Sequence, residues 1–262
     1  MHNLLGVYTI WYRDILRFWH DKARMFSSLV FPILFLFIFG SGLGGSMGLL
    51  GGGFDFSQFM FPGIIGMSVF MGSFMSGVSL AWDREFGFLK EVLVAPVSRV
   101  SVALGKALGA ATIATIQGLI ILIFAPLIGI SFSATTLLAL VPLMFLLAIS
   151  MGSLGILLAT RIKSMEAFQA VMQMLMFPMM FLSGVFFPMQ GLPAWMSVLV
   201  KINPASYGIA PIRQVVLGNV PNSPFSISLF GHIMSIWDNV AVLAAFGVIM
   251  IVLAMWSFGN QE

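Results

Sequence analysis

The chain has 262 residues, of which 60% are apolar and only 8% charged, and its mean hydropathy is +1.05. So small a charged fraction excludes a surface that faces water all round, and the chain is read as a membrane protein. The net charge of +3 calls for no nucleic-acid partner, and the absence of Cys excludes a disulfide framework and a thiolate metal site.

Residues 1–25 come first. Leu4, Tyr8, Trp11, Tyr12, Ile15 and Trp19 recur at helical spacing, whereas Arg13, Asp14, Arg17, Asp21 and Arg24 fall on the opposite face. The pattern predicts an interfacial amphipathic helix with its rings at headgroup depth. A plain surface anchor accounts for it more simply than a gating or entry role does. The segment is too charged, and the apolar run behind it too long, for a cleaved signal peptide.

Six apolar stretches follow, at residues 26–44, 59–81, 107–130, 136–160, 167–187 and 240–258, and none contains Asp, Glu, Lys or Arg. Each is long enough to cross roughly 30 Å of hydrocarbon as a helix. The glycine-rich run 40–53 ends the first of them and reads as an external loop. It is no phosphate cradle, because no Lys follows it and the preceding segment is helical. The Gly105–Lys106 pair is followed by Ala107, so no nucleotide-binding loop is present. Ten of the twelve basic residues fall on one side: Arg13, Arg17, Lys22 and Arg24, then Arg84, Lys90, Arg99 and Lys106, then Arg161 and Lys163. Only Lys201 and Arg213 fall on the other. The bias predicts that both termini are cytoplasmic.

The largest cytoplasmic loop, residues 83–99, concentrates charge yet carries an apolar stripe. Phe86, Leu89, Leu93 and Val97 recur at steps of three and four, Arg84, Lys90 and Glu91 point elsewhere, and Pro96 ends the run. A short amphipathic helix results. Its stripe can enter headgroups, the protein's own bundle or a groove on a partner, and the pattern alone leaves these open.

Within the spans, Gln169 and Gln173 are four apart on one face, with Met172 and Met176 nearby, and Gln117 lies in the third span. These residues can line a path for cargo, the methionines adapting to varied apolar shapes. Lipid-facing filler explains the methionines equally, and interhelical hydrogen bonding explains Gln117. Beyond the fifth span, Pro188, Pro193, Pro204, Pro211 and Pro221 break residues 188–225 into pieces too short to cross. Short helices that dip into the outer leaflet fit, with Trp195 and Tyr207 at the interface. They can form a lid over a pathway or a static plug. His2, His20 and His232 never pair at metal spacing, and no catalytic constellation is found. Acids are missing from the spans, which disfavours an ion-coupled relay and points to an outside source of energy.

Two motifs resemble the membrane subunits of ABC type-2 exporters, over nearly the whole chain. Arg84-Glu85-x-Gly87-x-Leu89-x-Glu91-x-Leu93-x-x-x-Pro96-x-Ser98-Arg99, then Leu104-Gly105-Lys106, resembles the family's loop between spans two and three. Leu182-Ser183-Gly184-Val185-Phe186-Phe187-Pro188, then Leu192-Pro193-x-Trp195, Asn203-Pro204-x-x-Tyr207 and Arg213 with Leu217-Gly218, is similar to its signature around span five. Two positions depart from the pattern. Phe88 stands where relatives usually have Thr, and Ala210 and Pro211 precede Arg213 where an acid and Ala are common, so a kink is expected there.

The resemblance implies one all-α domain over residues 1–262, a polytopic membrane protein with six transmembrane helices. To these it adds the N-terminal interfacial helix, a cytoplasmic coupling helix at 83–99 and short re-entrant external helices at 188–225. It implies that the coupling helix docks on a separate ABC ATPase subunit. Phe86, Leu89, Leu93 and Val97 would fill the ATPase groove, Gly87 would allow close approach, Pro96 would end the helix, and Arg84, Glu85, Lys90 and Glu91 would set register. Gly184, Pro188, Pro193, Trp195, Asn203, Pro204, Tyr207 and Arg213 would form the external gate. The chain would then be no enzyme and hold no cofactor, ATP and Mg belonging to the partner. Two ATPase copies and a second, identical permease are expected in the plasma membrane of a prokaryote, exporting hydrophobic or amphipathic cargo such as a drug, lipid or lipid-linked glycan. The alternative is a six-span secondary transporter with no ATPase.

Overall fold

The computed structural model describes residues 2–48, 56–85, 98–162, 164–187, 189, 191–218, 226–229 and 232–259, and the backbone there is almost wholly helical. Hydrocarbon offers no hydrogen-bond partners, so an apolar chain satisfies its N–H and C=O groups within helices. In chain order these are α1 (His2–His20), α2 (Lys22–Gly48), α3 (Phe56–Phe74), α4 (Ser76–Glu85) and α5 (Arg99–Leu122), followed by a 3-10 turn at Ala125–Ile128. Then come α6 (Ala134–Arg161), α7 (Met165–Phe181), α8 (Ala194–Ile202), α9 (Pro204–Leu217) and α10 (Ile236–Gly259). Before α10, β1 (Ser228–Leu229) and β2 (His232–Ile233) form a small antiparallel hairpin.

Among the described residues, four helical stretches are long and apolar enough to cross a membrane: Ser57–Glu85, Arg99–Leu122, Ala134–Arg161 and Ile236–Gly259. The pair Asn3–His20 and Met25–Phe39, bent by 70°, qualifies jointly as a fifth. The expected six spans are thus met by four helices, or five with the bent pair. The expected fifth span, 167–187, is represented by α7, whose 17 residues reach only about 26 Å. It stops at Phe181 because the chain then turns, with Gly184 at φ +78°, a conformation that L side chains rarely adopt. The glycine-rich run expected as a loop from residue 40 is helical as far as Gly48. Backbone satisfaction outweighs the weak helix propensity of glycine there.

α3 and α4 form the centre. Of the most apolar window of Ser57–Glu85, 72% of residues are buried, against 22% for α10 on the outside. Phe61, Ile64, Ile65 and Phe74 are fully enclosed. α10 lies along α6, α6 along α5, and α1 along α5. Helices in lipid gain contact by close approach of small residues, since lipid tails are as apolar as leucine. At the crossing of α4 and α6, a Cβ on Gly77 would lie 2.3 Å from the Gly155 carbonyl oxygen, and one on Gly155 would lie 2.5 Å from that of Phe74. Gly155→Val is therefore expected to lower stability by about 1–3 kcal/mol, read as a lower midpoint of thermal unfolding in detergent. Gly259→Ala, with nothing within 4 Å of the added Cβ, serves as the near-silent control.

α1 is seated on α5 by the pair Gly105 and Gly109. A Cβ at Gly105 would meet Ile10 Cβ at 2.8 Å, and one at Gly109 would meet Asp14 Cβ at 3.2 Å. Trp11 Nε1 donates to Thr112 Oγ1 at 3.0 Å one turn further on. The side of α1 that carries Ile10, Asp14 and Phe18 is turned inward, and Leu4, Tyr8, Tyr12 and Trp19 are exposed. Most of the apolar face named from the sequence thus looks outward, with Trp11 turned to α5 and Ile15 half-buried, whereas Asp14 from the opposite face is directed into the protein.

Candidate functional site: a cavity above a buried ion cluster

A cavity of about 460 Å³ opens between α1, α2, α3, α5 and α7. Its wall takes Phe18 from α1, Ser27, Ser28, Phe31 and Pro32 from α2, and Ser68, Met71 and Gly72 from α3. Met75 and Val78 continue it, and Ile113 faces across from α5. Gln117, Gln169, Met172, Gln173 and Met176, the five residues expected to line a cargo path, all lie on this one cavity. Gln169 and Gln173 are exposed at its open side, while Gln117 and Met172 are buried.

Gln117 does make the interhelical bond that its position in a span suggested, with Nε2 donating to Ser28 Oγ of α2 at 2.8 Å. Ser28 in turn donates to the Met25 carbonyl at 2.9 Å. The other end of the carboxamide, Oε1, accepts no hydrogen bond among the described residues. Ser27, Ser28, Ser68 and Gly72 were not singled out from the sequence; the adjacent serines that open the first apolar run were a sign for Ser27 and Ser28 alone.

Below the cavity lies a smaller one of about 40 Å³, which shares Phe18, Gly72 and Ile113 with it and reaches Asp14, Arg17 and Lys106. Lys106 Nζ sits 2.6 Å from Asp83 Oδ2, 3.3 Å from Asp14 Oδ2 and 3.2 Å from Ser79 Oγ. Asp83 also meets Arg13 at 3.4 Å and Arg17 at 3.3 Å, and Arg13 meets Asp14 at 2.9 Å. Lys106 is 2% exposed and Asp83 6%. In the sequence these two fell in a loop between spans. In the structure Lys106 lies two turns inside α5, which begins at Arg99 with Ser98 Oγ accepting from the Ser101 N–H. Asp83 belongs to α4. Helices that outrun their apolar windows carry these charges into the protein, where mutual pairing makes burial tolerable. The Gly105–Gly109 spacing, which marks where another helix is seated, was the readable sign.

Among the residues expected to couple to an ATPase, Phe86, Gly87, Leu89, Lys90, Glu91, Leu93, Pro96 and Val97 lie outside the described residues. Glu85 is exposed at the end of α4. Arg84 turns into the chain, its Nη1 donating to the Ala159 carbonyl at 2.8 Å and its Nη2 to that of Ile162. It thereby caps the C-terminus of α6, where unpaired carbonyls and the negative end of the helix dipole favour a cation.

Of the residues expected at an external gate, Gly184, Asn203 and Arg213 meet where α7 gives way to the segment carrying α8 and α9. Arg213, 2% exposed, donates from Nη2 to the Gly184 carbonyl at 2.6 Å and to that of Val185 at 3.4 Å. Its guanidinium carbon lies 4.5 Å from the centre of the Phe59 ring. Burial lowers its pKa from the ordinary value to about 9, so the group stays charged at neutral pH. Asn203 accepts from the Ala205 N–H at 3.1 Å, capping α9, and donates to the Met179 carbonyl at 2.6 Å. Pro204 occupies the first turn of α9, where its missing N–H costs nothing. Tyr207 donates to the Lys201 carbonyl at 2.6 Å. Ser206, not singled out beforehand, donates to the Leu182 carbonyl at 3.1 Å. Arg213, Asn203 and Ser206 thus satisfy carbonyls that the break after α7 leaves without helical partners, and Tyr207 does so at the end of α8. α9 continues through Pro211 to Leu217. Pro193 directly precedes α8 without a side-chain cap, Trp195 on α8 is 65% exposed, and Pro188 lies outside the described residues.

The family described as ABC-2 type transporter matches residues 6–217. The chain is 32% identical over 200 residues to a chain named as a transport permease, ycf38, from Cyanophora paradoxa, a match that covers 74% of this chain and 68% of that one. It is 28% identical over 214 residues to Nodulation protein J of Rhizobium meliloti (strain 1021), covering 80% of each. A chain named as a multidrug ABC transporter permease, YbhR, from Escherichia coli (strain K12) is 27% identical over 197 residues, covering 74% of this chain and 51% of that one. The match spans most of the helices that build the cavity, the ion cluster and the α7–α9 junction. The chain belongs to the ABC-2 type transporter family and is a membrane-spanning permease subunit of an ABC transporter.

Proposed function

We propose that the chain is the permease of an ATP-driven exporter that carries hydrophobic or amphipathic molecules out of the cytoplasm or inner leaflet. The observation that supports this reading is the single cavity onto which Gln117, Gln169, Met172, Gln173 and Met176 converge. Its wall is mostly apolar with a few polar groups, the composition of a small-molecule site. Two permeases, identical copies, pair with two ATPase subunits, which bind the ATP and Mg. The complex works in efflux in a prokaryotic plasma membrane, with both termini of this chain in the cytoplasm and drug resistance as one outcome.

Force enters at residues 83–99, where Phe86, Leu89, Leu93 and Val97 fill the ATPase groove. It passes to the cavity through the ion cluster, because Asp83 and Lys106 both hold α1, and Phe18 of α1 is part of the cavity wall. At the far end, the junction built on Arg213 closes the external mouth. This chain does no chemistry itself.

The test is co-purification with a co-expressed ABC ATPase subunit from the same genome. Wild-type protein should retain the ATPase, and candidate compounds should stimulate its hydrolysis. Leu89→Glu and Leu93→Glu should each release the ATPase by more than tenfold in yield, while the permease stays monodisperse with an unchanged melting point. A permease that never associates with an ATPase, yet moves cargo down an ion gradient, would replace this reading with a secondary transporter.

A further inference from the structure

We infer that Arg84 is a positioning residue for transport: it ties the end of α4, where the docking segment departs, to the turn that leads into α7, so that movement of that segment shifts the α7 wall of the cavity. This deepens the export reading and rests on its assignment of residues 83–99 to the ATPase. Asp83 and Arg84 are consecutive in the last turn of α4, and neighbouring helical positions point about 100° apart. They therefore grip different partners. Asp83 holds Lys106 of α5 and Arg13 and Arg17 of α1. Arg84 holds α6, donating from Nη1 to the Ala159 carbonyl at 2.8 Å and from Nη2 to that of Ile162.

Two donors on one planar guanidinium give this grip a fixed orientation, and the negative end of the α6 dipole strengthens it. Only residues 162–164 separate α6 from α7, and Ser164 Oγ accepts from the Ala167 N–H at 3.2 Å to open α7. What holds Ile162 thus holds the start of α7. A second contact acts in the same sense: Phe168, fully buried near that start, lies against α4, where a Cβ on Gly77 would stand 3.0 Å from its Cζ. Further along, Met174, Phe177 and Phe181 are exposed, so α7 is anchored at its beginning and unpacked along that side within the chain. Gln169, Met172, Gln173 and Met176 belong to the cavity wall, and all lie within about 17 Å of rise from the first residue of α7. Phe18 of α1 belongs to the same wall. One displacement at the end of α4 therefore reaches the cavity by two limbs, through Asp83 to α1 and through Arg84 to α7.

Hydrogen exchange read by mass spectrometry tests this on the permease–ATPase complex in nanodiscs, first free of nucleotide and then trapped with ADP and vanadate. In the wild type, trapping should change the exchange rate by about threefold or more at residues 2–20, 83–99 and 164–172. Arg84→Met, unbranched and without a donor, should abolish the change at 164–172, while the ATPase is retained and residues 2–20 still respond. Arg84→Lys keeps a cation at the helix end but cannot grip two carbonyls in a fixed plane, and should leave about half of the change. A residue that merely caps α6 would, when replaced, raise exchange at 164–172 by the same factor in both states. The nucleotide-dependent difference would then survive Arg84→Met, and that result overturns the inference. So does a wild-type complex in which 164–172 never responds, or release of the ATPase by Arg84→Met, which would return Arg84 to the docking surface. A wild-type chain that retains no ATPase would sink the export reading as well, whereas an α7 response indifferent to Arg84 leaves that reading standing.

Discussion

Asp83→Leu is expected to lower stability by about 3–5 kcal/mol, because it strips a buried cation of its nearest partner. Asp83 is the hub of the cluster, within reach of Lys106, Arg13 and Arg17. Its loss leaves three cations facing the single carboxylate of Asp14, and the net charge of the group rises from +1 to +2. Lys106 dominates the cost, being 2% exposed. Arg17, with 56% of its side chain in the open, can turn to solvent, and its pair contributes little. Lys106→Met acts in the opposite sense. It lowers the net charge to zero and leaves Asp83 and Asp14 with Arg13 and Arg17, so its cost is expected to be about half as large. Thermal unfolding of the detergent-solubilised protein should rank Asp83→Leu well below Lys106→Met. The double substitution should lie above Asp83→Leu alone, because the stranded lysine is gone and Asp14 retains Arg13. Equal effects of the two single changes would contradict the assignment of Asp83 as the hub.

Arg213→Met is expected to cost about 2–4 kcal/mol, the loss of charge-assisted bonds to buried carbonyls. The substitute fills much of the space but gives the Gly184 and Val185 carbonyls no donor. Arg213→Lys should recover less than half of the loss. An ammonium is a point charge and lacks the flat face that lies over Phe59. The damage should be local: limited proteolysis should open the turn that follows Phe181 before the rest of the bundle melts. Unchanged protection of that turn would mean that Arg213 does not hold it.

What could be read in the sequence, and what could not, follows from the range of the interactions. Periodicity is local, so Gln169, Met172, Gln173 and Met176, at steps of three and four, could be placed on one helical face. Residues 188–225 could be called short broken helices because proline punctuates them, and α8 and α9 are indeed short. The tertiary partner was invisible. Nothing local reveals that Gln117 lies opposite Ser28, 89 residues away. The same limit hid the burial of Lys106. Hydropathy puts a charge outside a span, whereas a charge with two carboxylates around it can sit inside a helix bundle. Amphipathic spacing likewise could not show that Ile10, Asp14 and Phe18 of α1 would turn toward the rest of the protein. Arg84 was expected to meet another subunit, and its described bonds close the end of α6.

Asp83 and Lys106 are 23 residues apart in the chain and 2.6 Å apart in space. The facing ends of α4 and α5 are therefore clasped by one ion pair, to which α1 is tied through Arg13, Arg17 and Asp14. Severing that clasp would leave the three helices free to shift independently of one another.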